Sequence, residues 1–65
     1  MKILLNGSER IISSSCIKNL ISDLQLGIDG WALAYNGEFV PREEIESIVL
    51  SERDEVDIIG ANPGG

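Results

Sequence analysis

The side chains of this sequence offer little reactive chemistry. Its 65 residues include no histidine and a single cysteine, Cys16. A zinc site would therefore have almost no ligands to draw on, and an internal disulfide is impossible. A cysteine that opens a helix reads as a small buried residue. The acidic run Glu43, Glu44 and Glu46 has the spacing of a solvated helical face rather than of a cation site. Trp31, Tyr35 and Phe39, the three aromatics, read as packing for the core or its rim. What remains is the pair at the end, Gly64-Gly65. Glycine has the largest conformational entropy to lose and no side chain to pack. The missing Cβ is useful, however, if the end must thread a narrow channel and bring its α-carboxylate against the α-phosphate of a nucleotide. That carboxylate, with a reference pKa of about 3.3–3.7, is ionised at neutral pH and ready to act as a nucleophile. Gly65 is therefore the expected reacting residue, with Gly64 and Pro63 as the stretch a partner would recognise. No catalytic side chain and no metal site are expected.

A carboxylate at the end of a chain needs a compact body behind it. Lys2-Ile3-Leu4-Leu5 is a short apolar run closed by Asn6-Gly7, a strong hairpin signal because both turn residues tolerate positive φ. A partner strand follows at about Glu9 to Ile12. Ser13-Ser14-Ser15 breaks the strand pattern and offers hydroxyls for the first turn of a helix, which the spacing predicts to begin near Cys16 with Ser14 or Ser15 as its cap. Within it Ile17, Leu20, Ile21 and Leu24 fall at i, i+3, i+4 and i+7 on one stripe. Gly27 is placed to end the helix in the left-handed conformation. Trp31 to Tyr35 reads as a strand, Asn36-Gly37 as a second hairpin turn, and Glu38-Phe39-Val40 as the partner strand, stopped by Pro41. Arg42 to Ile48 has the makings of a single helical turn with Pro41 at its first position. Glu55 to Ile59 is the last strand.

One helix with one apolar stripe among four or five short strands is buried by laying it across one face of a sheet. The expected fold is α+β, a β-grasp (ubiquitin-like) arrangement: a mixed four- to five-stranded sheet, the first and last strands at its centre, with one main helix on one face. Residues 1–59 make the domain and 60–65 a flexible tail.

The chain is long enough for one small core and too short for a deep, enclosed active site. Hydrophobic residues make up 43% and charged residues 25%, the balance of a globular protein. A net charge of −6 argues against nucleic acid, which needs clustered Lys and Arg, and fits a basic protein partner. The opening apolar run is too short for a signal peptide or a membrane span, so a cytoplasmic protein, monomeric by itself and not bound to a membrane, is expected.

Alternation sorts each strand into two rows. Charged Lys2 and Asp57 should face water, which sends Ile3, Leu5, Val56 and Ile58 toward the helix and leaves Leu4 and Ile59 outside. The bulkier Leu33 and Tyr35 suit the core, and Ala32 and Ala34 the outer face. Leu4, Ala32, Ala34 and Ile59 would then form a shallow apolar patch, and contiguous exposed apolar surface marks binding sites.

With these features in place, the sequence resembles the ThiS family, the sulfur-carrier proteins of thiamin biosynthesis. The resemblance covers essentially the whole chain and rests on Met1-Lys2-Ile3-Leu4-Leu5-Asn6-Gly7, on Ala32-Leu33-Ala34-Tyr35-Asn36-Gly37-Glu38-Phe39-Val40-Pro41-Arg42-Glu43, and on Gly64-Gly65. It implies that a ThiF-like adenylyltransferase, using ATP and magnesium, converts the Gly65 carboxylate to an acyl-adenylate. Sulfur from a persulfide donor then displaces AMP to leave a thiocarboxylate, and a thiazole synthase (ThiG-like) takes that sulfur. The chain itself would bind no cofactor and would be a carrier rather than an enzyme. Two positions depart from the family pattern: Pro63, preceded by Asn62, stands where a small or aliphatic residue is usual, and Cys16-Ile17 replaces the commoner Thr-Val at the start of the helix. The same chemistry would serve a carrier for molybdopterin or cysteine synthesis, and a C-terminal Gly-Gly also suits a ubiquitin-like modifier of protein lysines.

Overall fold

The computed structural model describes residues 1–27 and 30–60. Strand β1 (Lys2–Leu5) and strand β2 (Ser8–Ile11) form the first hairpin, and helix α1 (Ile17–Leu24) follows. Strands β3 (Ala32–Tyr35) and β4 (Glu38–Val40) form the second hairpin, helix α2 (Arg42–Ile45) makes one turn, and β5 (Glu55–Ile59) closes the order. The five strands lie in one sheet, β2-β1-β5-β3-β4. β1 and β5 run parallel and the other neighbours antiparallel, so the sheet is mixed, with the first and last strands side by side at its middle.

Both hairpins turn on Asn-Gly for the same reason. Asn6 and Gly7 have φ of 50° and 83°, Asn36 and Gly37 of 52° and 88°, the two positive values a type I′ turn requires to match strand twist. Each asparagine also ties its hairpin to β5. The Ile58 amide donates to Asn6 Oδ1 at 2.8 Å, and the Glu55 amide donates to Asn36 Oδ1 at 2.8 Å. The two turns therefore grip the central strand at different points along its length.

Ile3, Ile17, Leu33 and Val56 are fully buried, and Leu20, Ile45 and Leu50 nearly so. The stripe of α1 supplies Ile17 and Leu20, with Ile21 and Leu24 packed at the margin. Leu50 was not among the residues that periodicity marks as core. It reaches the interior because its amide donates to the Ser15 carbonyl at 2.8 Å and Val49 bridges Cys16, pinning the segment after α2 beside the start of α1.

Several local expectations need correcting. Cys16 itself is the N-cap of α1, and no side chain caps the helix. Ser14 Oγ instead accepts from the Cys16 amide at 3.1 Å and from Asn19 Nδ2 at 2.9 Å, a local turn that forms just ahead of the helix. Cys16 is exposed, not buried, because the cap position precedes the inward-facing Ile17. The C-cap is Gln25, left-handed at φ 57°, two residues before Gly27, which also has positive φ (81°) but lies beyond the cap. Pro41 is the N-cap of α2 rather than its first residue.

Candidate functional site

The expected reacting residue and its neighbours, Gly65, Gly64 and Pro63, lie outside the described residues. Of the expected tail 60–65, only Gly60 is described, directly after β5, with φ of 80°.

The four residues expected to form an outer apolar patch can be placed by register. Leu33 and Val56, both fully buried, point to the helix. Ala32, Ala34, Leu4 and Ile59 alternate with inward neighbours and so occupy the opposite face. Ala32 sits directly across from Ile59, and Ala34 across from Phe39 on one side and Asp57 on the other. These four apolar residues adjoin, and Ile59 and Phe39 are 58% and 67% exposed. Leu4 does not join them. It is level with Glu55 and Glu9, four residues along β5 from Ile59, roughly 13 Å at strand rise, with Asp57 between. The outer face thus has an apolar corner of Ala32, Ala34, Phe39 and Ile59 at the end where β5 leads into Gly60, and a mixed remainder in which Glu9, Glu55 and Asp57 stand with Lys2, Leu4 and exposed Ile11.

Phe39 was expected to pack in the core or at its rim, and it does neither. Val40 opposes buried Leu33, so alternation turns Phe39 outward onto the small surface of Ala34. The signal lay in the hairpin: a two-residue loop at Asn36-Gly37 fixes Tyr35 opposite Glu38 and hence Ala34 opposite Phe39. Trp31 does sit at the rim, half-buried against the core, with the Arg42 guanidinium 4.8 Å above its ring centroid.

A polar knot locks the second hairpin to the loop before β5. Tyr35 donates its hydroxyl to Asp54 Oδ2, the Ser51 amide donates to the same oxygen at 2.8 Å, and Asn36 Nδ2 donates to Oδ1 at 3.3 Å. The hydrogen bond to Asp54, then burial and the carboxylate's charge, raise the Tyr35 phenol above its usual pKa. For Asp54, burial pushes upward, but the hydrogen bonds from Tyr35, Ser51 and Asn36 outweigh it and hold the carboxyl below its usual value. The knot positions the hairpin that carries Ala34 and Phe39.

Among the described residues no group of three or more acidic, Cys or His side chains converges as a metal site, and no helix is long and apolar enough to cross a membrane.

The sequence model of the ThiS family matches residues 3–65, nearly the whole chain including the final Gly64-Gly65. The fold is similar to the crystal structure of a thiamine biosynthesis protein (ThiS) from Geobacter metallireducens, with a TM-score of 0.80, 23% sequence identity and all of both chains covered. That likeness establishes the β-grasp architecture. No curated protein matches the chain by sequence.

Proposed function

The chain belongs to the ThiS family of small sulfur carriers, and from that premise we propose that it carries sulfur for thiazole formation in thiamin biosynthesis as a thiocarboxylate on Gly65. The observation that carries this reading is the family match, which runs through the β-grasp body to Gly64-Gly65.

In this scheme an oxygen of the Gly65 carboxylate attacks the α-phosphorus of ATP held with magnesium by an adenylating partner, and pyrophosphate leaves. The acyl-adenylate makes the carbonyl carbon electrophilic, because AMP is a far better leaving group than oxide. The outer sulfur of a persulfide then attacks that carbon, forming a C–S bond as AMP departs, and a second thiol cleaves the persulfide's own S–S bond by attack on its inner sulfur, leaving as a disulfide and freeing the thiocarboxylate. A thiazole synthase takes the sulfur and returns the carboxylate. Each catalytic side chain belongs to a partner. The carrier contributes an end thin enough to enter an active site and a face to dock by.

The corner of Ala32, Ala34, Phe39 and Ile59 supports the docking half of this reading, since it adjoins the point where β5 leads into the Gly-Gly end, and its acidic surround with Glu55 and Asp57 suits a basic partner surface. The test is intact-mass measurement of the chain after incubation with a ThiF-like enzyme, ATP, magnesium and a persulfide donor. Exchange of one oxygen for sulfur at Gly65 is the expected result, and transfer of that sulfur to a thiazole product by a thiazole synthase completes it. Adducts linked to lysines of other proteins would instead establish a modifier.

A further inference from the structure

On the helix side of the sheet a groove of about 450 Å³ runs between α1 and α2. Ile21, Ile45 and Trp31 line it with apolar surface, the carboxylate-bearing Glu46 lines it too, and so do the cations Lys18 and Arg42. These are two of the five basic residues in a chain of net charge −6. Lys18 is shared with Glu46 at 3.8 Å, an exposed pair that contributes little and yields readily to a competing anion. Arg42 differs. Its guanidinium is held over the Trp31 ring, and among the described residues no carboxylate pairs with it. An arginine stacked on an indole keeps the edges of its planar fork free, oriented to take a carboxylate by two parallel hydrogen bonds.

We propose that this groove docks an acidic segment of a partner protein, with an aliphatic side chain against Trp31, Ile21 and Ile45 and a neighbouring carboxylate on Arg42. Charge complementarity selects that occupant. An acidic segment is repelled by most of this chain's surface and attracted where Arg42, joined by Lys18 once it releases Glu46, flanks apolar surface, so the groove gives it both affinity and register. The groove also lies on the opposite side of the sheet from Ala34 and Phe39, so it stays open when the outer face is covered. Its use by the second of two successive partners rests on the sulfur-carrier reading; the binding itself does not.

Trp31 is the sole tryptophan, so its emission reports on the groove directly. The probe is the peptide acetyl-Glu-Leu-Asp-Leu-Glu-amide, titrated into the full-length chain. The expected result is a saturable emission shift that weakens with added salt. Binding becomes about tenfold weaker in Arg42→Gln, as loss of a charge-assisted bond requires. It is intermediate in Arg42→Lys, which keeps the charge and loses the fork, and absent for the uncharged Gln-Leu-Asn-Leu-Gln counterpart. No shift, or equal shifts with the uncharged peptide or with Arg42→Gln, overturns the proposal. Two further outcomes also overturn it: a Trp31 shift on deleting residues 61–65 makes the chain's own end the occupant, and a concentration-dependent shift matched by dimers in sedimentation makes it a second copy. Loss of thiocarboxylation bears on Gly65 alone and leaves this titration unchanged.

Discussion

Asp54 ties the second hairpin, which carries Ala34 and Phe39, to the loop before β5, because it joins Tyr35 and Asn36 to Ser51. Asp54→Asn places an amide where three donors converge and should cost about 1–2 kcal/mol, the worth of a charge-assisted hydrogen bond at a partly exposed site. Thermal melts should show Tm lowered by roughly 4–16 °C. The carboxyl is held below its ordinary pKa, so its stabilising contribution is fully present above the unfolded value of about 4 and is lost as pH falls through the folded value. The Tyr35 phenol is raised, so its contribution is present below about pH 10 and is lost as pH rises through the folded value. In a series of urea titrations across pH, wild type should lose stability at both ends relative to Asp54→Asn, whose curve flattens. Cys16 makes the opposite case. It is exposed at a helix cap with no side-chain cap bond, and in the proposed scheme the acyl carbon of Gly65, not a thiol of the carrier, receives the sulfur. Cys16→Ala should therefore be thiocarboxylated at the wild-type rate, and loss of the thiocarboxylate mass would place Cys16 in the reaction.

At the scale of elements, the left-handed positions test how far local conformation decides stability. A Cβ on Gly37 would meet nothing within 4 Å, so Gly37→Ala carries no steric clash and should destabilise by about 0.5–1 kcal/mol, the left-handed penalty less the entropy that alanine saves in the unfolded chain. Gln25 sits in the same backbone region at the end of α1, and Gln25→Gly should stabilise by about 0.5 kcal/mol by the reverse argument. Paired urea titrations with opposite shifts in midpoint and unchanged m-values check both. These positions also show where sequence pattern suffices. The Asn-Gly turns, the stripe of α1 and the strand alternation were readable because each is set by a few adjacent residues. Leu50, the exposure of Cys16 and the helix ends were not, since they depend on where residues 46–54 return. That path is fixed by distant bonds such as Arg53 N to Lys2 O at 2.6 Å and Leu50 N to Ser15 O. The outer face of the sheet divides the same way. Its outward rows follow from alternation, whereas the separation of Leu4 from Ile59 follows from the parallel β1–β5 register, which no hairpin specifies.

For the molecule as a whole, the two sides of the sheet differ in what they bury. The side under α1 holds the core, and single deletions there are expensive: Leu33→Ala, at a fully buried position, should cost about 2–5 kcal/mol, a large share of what so small a domain possesses. The outer side carries Phe39 and Ile59 at more than half exposure, and truncating either removes little that folding buries. Phe39→Ser should therefore leave Tm nearly unchanged while lowering kcat/KM for adenylation by about tenfold or more, as loss of an interface anchor does. Ala34→Arg, opposite Phe39 and beside Asp57, should add a bulky cation where a basic partner is expected and weaken the reaction further through charge and clash. The controls distinguish this from misfolding. Both variants should match wild type in urea midpoint and in Trp31 emission, because Trp31 faces the helix side. If Phe39→Ser is adenylated at the wild-type kcat/KM, the corner next to the Gly-Gly end is not where the activating enzyme docks, and the partner must hold the carrier by its end or by the groove on the other face.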